Sequence, residues 1–147
     1  MKRAIVIGAT FSAMAFLAGG CGSSSHATAL PGLTPAKLAK IRADVRAMTA
    51  NFNHAHPSSV VVYASQRQQA RIALGARAGV PGSQPVYLVV LRGHFIGPHP
   101  AGGDAGVLET NVITMILDRT TIRELYYSFG RHVHTNKVGP GLRLALG

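Results

Sequence analysis

The sequence predicts an α+β fold: an N-terminal helix, then a small antiparallel sheet of three to four strands, a meander covered on one face by helices. Three observations predict it. Apolar residues recur at helical spacing from Leu38 to Phe52, β-branched and aromatic residues crowd into short runs after residue 60, and two of those runs are joined only by Arg119-Thr120-Thr121. Helix, strand, helix and then strands in succession is the order of an α+β domain.

The first helix is expected over about 34–52. Thr34 is a suitable N-cap, Pro35 follows where a helix tolerates a missing N–H, and Leu38, Ile41, Val45, Met48 and Phe52 form one stripe. Lys37, Lys40, Arg42 and Arg46 lie off that stripe, with Asp44 the sole acid. A stripe at this spacing is ordinarily core contact. Asn51 to Ser59 reads as a break around Pro57, and Val60 to Ala64 as a short strand. Ser65 and Gln68 stand at capping-box spacing and open a second helix through Ala70, Ala73, Leu74 and Ala78, ended by Gly79. PVYLVVLRGHFI, residues 85–96, is almost continuously apolar and predicts the most buried strand. After a Gly/Pro loop at 97–106, strands at 107–118 and 122–129 form a hairpin. Leu142, Leu144 and Leu146 alternate as a candidate last strand or core patch.

Charge and cysteine usage bear on location. The chain of 147 residues carries 15 Lys and Arg against 5 Asp and Glu; removal of Lys2 and Arg3 with a leader leaves 13 against 5, an excess of +8. Such a surface attracts polyanions of any kind. The single cysteine, Cys21, makes neither an intramolecular disulfide nor a Cys-rich zinc site. Met1-Lys2-Arg3 is a positive start, residues 4–18 are apolar or small and uncharged, and Ala18-Gly19-Gly20 is a small-residue step, the three-part layout of a secretory signal over residues 1–20. Leu17-Ala18-Gly19-Gly20-Cys21 resembles the bacterial lipobox. That resemblance implies diacylglycerol on the Cys21 sulfur, cleavage before it, and a mature protein held at the extracytoplasmic face of the cell membrane. Residues 21–33 then read as lipidated cysteine and flexible tether, and 34–147 as one domain.

The stretch from about Val61 to Pro140 resembles a group of small actinobacterial lipoproteins through QPVYLVVLRGHF at 84–95, VITMILDRTT at 112–121, Phe129-Gly130 and Val138-Gly139-Pro140. The hairpin is similar to the PepSY-type repeat, whose turn reads Asp-x-x-Thr-Gly: Asp118 and Thr121 match. Ile122 stands where that pattern has glycine, and a β-branched residue resists positive φ. The resemblance implies a PepSY-like α+β domain and a small extracytoplasmic module, not a catalyst.

Catalytic constellations are missing from the pattern. No serine sits in a G-x-S-x-G elbow, the five acids are scattered, and the loop at 97–106 lacks the Lys-Ser/Thr of a P-loop. Of seven histidines, two pairs show H-x-H spacing, His54 with His56 and His132 with His134, but His54-Ala55-His56 adjoins Pro57 in an expected loop, and no metal ligands are assigned. No cofactor is expected. Arg67 and Arg71, four residues apart on the second helix, are candidate anion-binding residues. The expected function is a non-catalytic protein- or peptide-binding module of the cell envelope; the alternative is a binder of anionic envelope polymer or phospholipid. Nucleic acid is not an expected partner, because no aromatic-plus-basic platform is present.

Overall fold

The computed structural model describes residues 29–76, 82–98, 106–130 and 132–145. The leader, Cys21, the tether to residue 28, the helix end at Ala78-Gly79, Leu146, His26 and His99 lie outside these residues.

The first helix, α1, spans Pro35–Ala50, with the Thr34 Oγ1 accepting from the Lys37 N–H at 3.3 Å. Its stripe buries Ile41 and Val45, with Leu38 and Met48 partly covered and Phe52 buried just beyond the helix. Then come β1 (His54–Gln66), α2 (Arg67–Ala73), β2 (Pro85–Pro98), β3 (Val107–Asp118), β4 (Glu124–Phe129), a 3-10 turn (Thr135–Lys137) and β5 (Gly141–Leu144). The strands form one antiparallel sheet in the order β4-β3-β2-β1-β5. The expected meander is present as β1 to β4, and β5 returns to pair with β1.

Two features differ from the sequence expectation. The sheet has five strands, not three or four, and both of its faces are covered, not one. Tyr87, Val89, Leu91 and Phe95 of β2 pack toward α1 with Val60, Val62, Ile113 and Met115. Val86, Leu88 and Val90, the alternate positions, pack toward α2 and the segment bearing Val133 and Val138. A strand apolar at both parities needs cover on both sides, so the run that marked β2 as most buried also required the second layer.

The break expected at Asn51–Ser59 is instead the first half of β1. Pro57 is accommodated at a β-bulge: it lies opposite Gly93 while Ser59 lies opposite Arg92, which leaves Ser58 as the extra residue. The Ser58 hydroxyl donates to the Arg92 carbonyl at 3.1 Å. Backbone approaches backbone so closely here that a Cβ on Gly93 would stand 2.3 Å from the His56 carbonyl oxygen and 2.8 Å from the Pro57 Cα. The expected capping box does not form either. Ser65 stays in β1 and its hydroxyl donates to the Gln66 carbonyl, so α2 starts two residues later without a side-chain cap.

The β3–β4 turn rests on Asp118. Its Oδ1 accepts from the Thr120 N–H at 2.9 Å, the Thr121 N–H at 2.8 Å and the Thr121 hydroxyl at 3.0 Å, while Oδ2 accepts from the Gln84 amide at 2.6 Å. The Ile122 N–H closes the turn onto the Asp118 carbonyl at 2.8 Å, and Ile122 takes φ 56° with its side chain buried. Core burial thus outweighs the cost of a β-branched residue in the left-handed region, of order 1–3 kcal/mol. The turn's N–H donors, foremost that of Thr121, hold the Asp118 carboxyl below its ordinary range. The resulting stabilisation is present above the unfolded carboxylate range and is lost as pH falls through the lowered value. Asp118→Ala is expected to cost about 2 kcal/mol at pH 7 and much less at pH 2, as read by urea unfolding at the two pH values.

The chain comes into the domain at this same end of the sheet. Leu30 is buried, the Tyr87 hydroxyl donates to the Pro31 carbonyl at 2.9 Å, and the Lys37 ammonium donates to the carbonyls of Gly32 and Arg119 at 3.2 and 2.8 Å. His54, Pro98, Val107 and Phe129 mark the opposite end.

Candidate functional site

β4 is an edge strand: it pairs with β3 on one side, and among the described residues no strand pairs with its other side. The Gly130 N–H donates to the Val112 carbonyl. By the two-residue alternation of a strand, Ser128 also turns its N–H inward, and Tyr127 and Phe129 turn theirs outward. Natural sheet edges are commonly blunted by charge, proline or extreme shortness. β4 carries one charge, Glu124 at its first residue, and its exposed Tyr127 is one of the two large apolar side chains most open to water.

α1 lies over the centre of the sheet and stops short of β4, which leaves a cleft of about 380 Å³ between them. Met48, Met115 and Ile122 give it an apolar floor, and Asp44, Arg123 and Glu124 stand at its rim. Methionine is suited to such a floor, because its unbranched side chain repacks around different shapes. Tyr127, the direct partner of Met115 across the β3–β4 ladder, shares this face. Aromatic contacts, edge-to-face or tilted, link Tyr127 to Phe129 at 5.4 Å, Phe129 to Phe52 at 5.9 Å, and Phe52 to Phe95 at 5.9 Å, so the edge is packed continuously into the core.

The rim carries charges of both signs, Asp44 and Glu124 with Lys40 and Arg123. Asp44 pairs with Lys40 at 3.2 Å, one helical turn away. Partial burial raises the Glu124 carboxyl above its ordinary range, and the like charge of Asp44 adds to the rise.

Arg67 and Arg71 sit on α2, on the opposite face of the sheet. The Arg67 guanidinium donates to the Gln84 side-chain oxygen at 3.4 Å and so joins the Gln84–Asp118 chain at the turn. The Arg71 guanidinium stacks over the Tyr126 ring at 5.2 Å, beside a hollow of about 180 Å³. Each arginine has its own partner, and a shared anion would draw them from those contacts.

No family model, curated protein or solved structure matches the chain.

The histidine spacings fall on extended backbone. His54 and His56 lie within β1, not in a loop, and His56 is the direct cross-strand partner of His94. His132 and His134 stack at 5.0 Å between ring centres. Among the described residues no three His, Cys, Asp or Glu side chains are grouped so as to hold a metal ion. The β4 edge with its cleft depends on where α1 stops, which no local pattern encodes; the sequence shows only the near absence of charge from ELYYSF.

Proposed function

We propose that the protein is a lipid-anchored, non-catalytic module of the cell envelope that captures an extended peptide segment of another envelope protein by strand addition to β4. The observation that carries this reading is the open backbone of an apolar edge strand beside a cleft with an apolar floor and two carboxylates at its rim. Main-chain hydrogen bonds supply affinity in this mode, and pockets for alternate side chains supply selectivity. The favoured segment is apolar at alternate positions with one Lys or Arg placed to reach Asp44 and Glu124. The PepSY-like resemblance of the hairpin and the lipobox before Cys21 agree with this role. The reading takes a lipid on Cys21 as the anchor; among the described residues no helix is long and apolar enough to cross a membrane.

Pull-down from detergent-solubilised envelope at native expression tests the capture: a retained protein competed off by a peptide of the favoured pattern supports it, and recovery of no partner counts against it. Fractionation tests the anchor. Cys21→Ser is expected to move the protein out of the membrane fraction, and mass spectrometry of the wild type is expected to find an acylated N-terminal peptide beginning at residue 21. An unmodified Cys21 removes the anchor.

A further inference from the structure

The end of the sheet far from the incoming chain carries a group of histidines that the peptide site does not use. His54 and His56 flank Ala55, which packs toward α1, so both imidazoles lie on the opposite face. Arg92 and His94 alternate with Leu91 and Phe95, which also fill the α1 side, and therefore share the face of His54 and His56. Glu109 of β3 brings a carboxylate 3.9 Å from the His94 Nδ1. His132, from the segment after β4, joins Arg92 and Glu109 around an open hollow of about 390 Å³, and His134 stacks on His132. On β5, Arg143 lies opposite Val61 of β1, one more cation along the same face. All five imidazoles are exposed, and neither α2 nor the 3-10 turn covers them.

We propose that this surface binds a polyanionic chain, rich in phosphate or carboxylate groups, and binds it more tightly as pH falls from neutral toward 5.5. Histidine is the side chain whose ordinary charge change lies between pH 8 and 5. With the imidazoles neutral, Arg92 is offset by Glu109; with them protonated, five positive charges are added along one strip with a single carboxylate in it. The absence of any three-ligand metal grouping among the described residues favours a charge surface over a chelate. Location favours a polymer over lipid headgroups, and this clause rests on the anchored reading above. The tether joins the turn end, and the seven to nine residues of β3 between Asp118 and the level of the histidines place them about 25–30 Å away, at roughly 3.4 Å per residue.

The test uses the full chain in neutral dodecyl maltoside micelles, with fluorescent linear polyphosphate and polyglutamate as probes, at pH 7.5 and 5.5 and fixed ionic strength. Affinity for at least one probe is expected to rise about tenfold at pH 5.5, and the preferred probe identifies phosphate or carboxylate as the recognised group. H54N/H56N/H94N is expected to lose most of the rise, with H94N alone losing part of it. Arg67→Ala with Arg71→Ala, on α2, and Glu124→Gln, in the peptide cleft, are expected to leave the rise intact. A rise that survives the triple histidine variant, or disappears in the arginine or Glu124 variant, overturns the proposal. So does binding that needs added zinc, or binding of phosphatidylglycerol vesicles without binding of either polymer. Cys21→Ser must give the same pH response, so a failure of the anchor and a failure of this surface are read separately.

Discussion

Gly93→Ala lowers the melting temperature by roughly 10 °C or more, the largest stability loss expected from any single added methyl group in the β1–β2 pair. The new Cβ would stand 2.3 Å from the His56 carbonyl oxygen and 2.8 Å from the Pro57 Cα, and both are backbone atoms in the middle of the sheet. No rotamer change relieves such contacts; the strands must separate at the bulge, where Ser58 is already the unpaired residue. A cost of about 3 kcal/mol or more follows, at the upper end for overpacking, and for a domain of this size each kcal/mol shifts the midpoint by about 4 °C. Gly82→Ala is the control. Its Cβ would meet the Arg67 Cβ at 3.4 Å, an ordinary contact with a side chain that has room to move, and it is expected to cost less than about 1 kcal/mol. Thermal unfolding of the two variants measures both. Equal, small shifts would show that the strands do not approach as described. Because His56 and His94 flank the bulge, Gly93→Ala is also expected to weaken the acid-dependent polyanion binding.

Tyr127→Pro is expected to weaken the proposed capture of an extended peptide at least tenfold by fluorescence anisotropy, while leaving the melting temperature within a few degrees of Tyr127→Ala. The Tyr127 N–H faces away from β3, so proline removes a donor from the open edge and none from the β3–β4 ladder. The stability loss comes instead from the 5.4 Å contact with Phe129, which alanine loses equally. Tyr127→Ala retains the outward N–H and is expected to keep most of the capture. If the two variants lose affinity equally, the tyrosine ring and not the strand edge makes the site. If capture survives in both while a concentration-dependent dimer disappears with proline alone, the edge serves to pair two copies of the chain.

Much of the fold is legible from periodicity. Thr34, Pro35 and the stripe from Leu38 to Val45 place α1 because helix signals are local, and VITMIL followed by Asp118 places β3 and its turn for the same reason. The errors arose where tertiary contacts overrode local chemistry. Pro57 reads as a break, and only the facing Gly93, some 36 positions later, makes it a tolerated bulge inside β1. Ile122 reads as a strand residue, yet it closes the turn at positive φ because its side chain gains a place in the core. The covering of both faces was implied by PVYLVVL, whose two parities are equally apolar; one covered face would have left Val86, Leu88 and Val90 in water. Of the candidate sites, Arg67 and Arg71 were readable as neighbours on a helix, but their partners Gln84 and Tyr126 come from other strands. The cleft beside β4 had no local signature at all, since Met48, Met115 and Glu124 meet only through the sheet.

Hydrogen exchange at β4 tests strand addition most directly. The full chain in micelles is compared with and without an extended peptide of alternating valine and threonine that carries one central arginine. Free, the outward amides of Tyr127 and Phe129 exchange much faster than the inward amides of Ser128 and Gly130; bound, Tyr127 and Phe129 slow by at least tenfold. Protection that appears elsewhere, or unchanged exchange at Tyr127 and Phe129 with the peptide bound, contradicts capture at this edge.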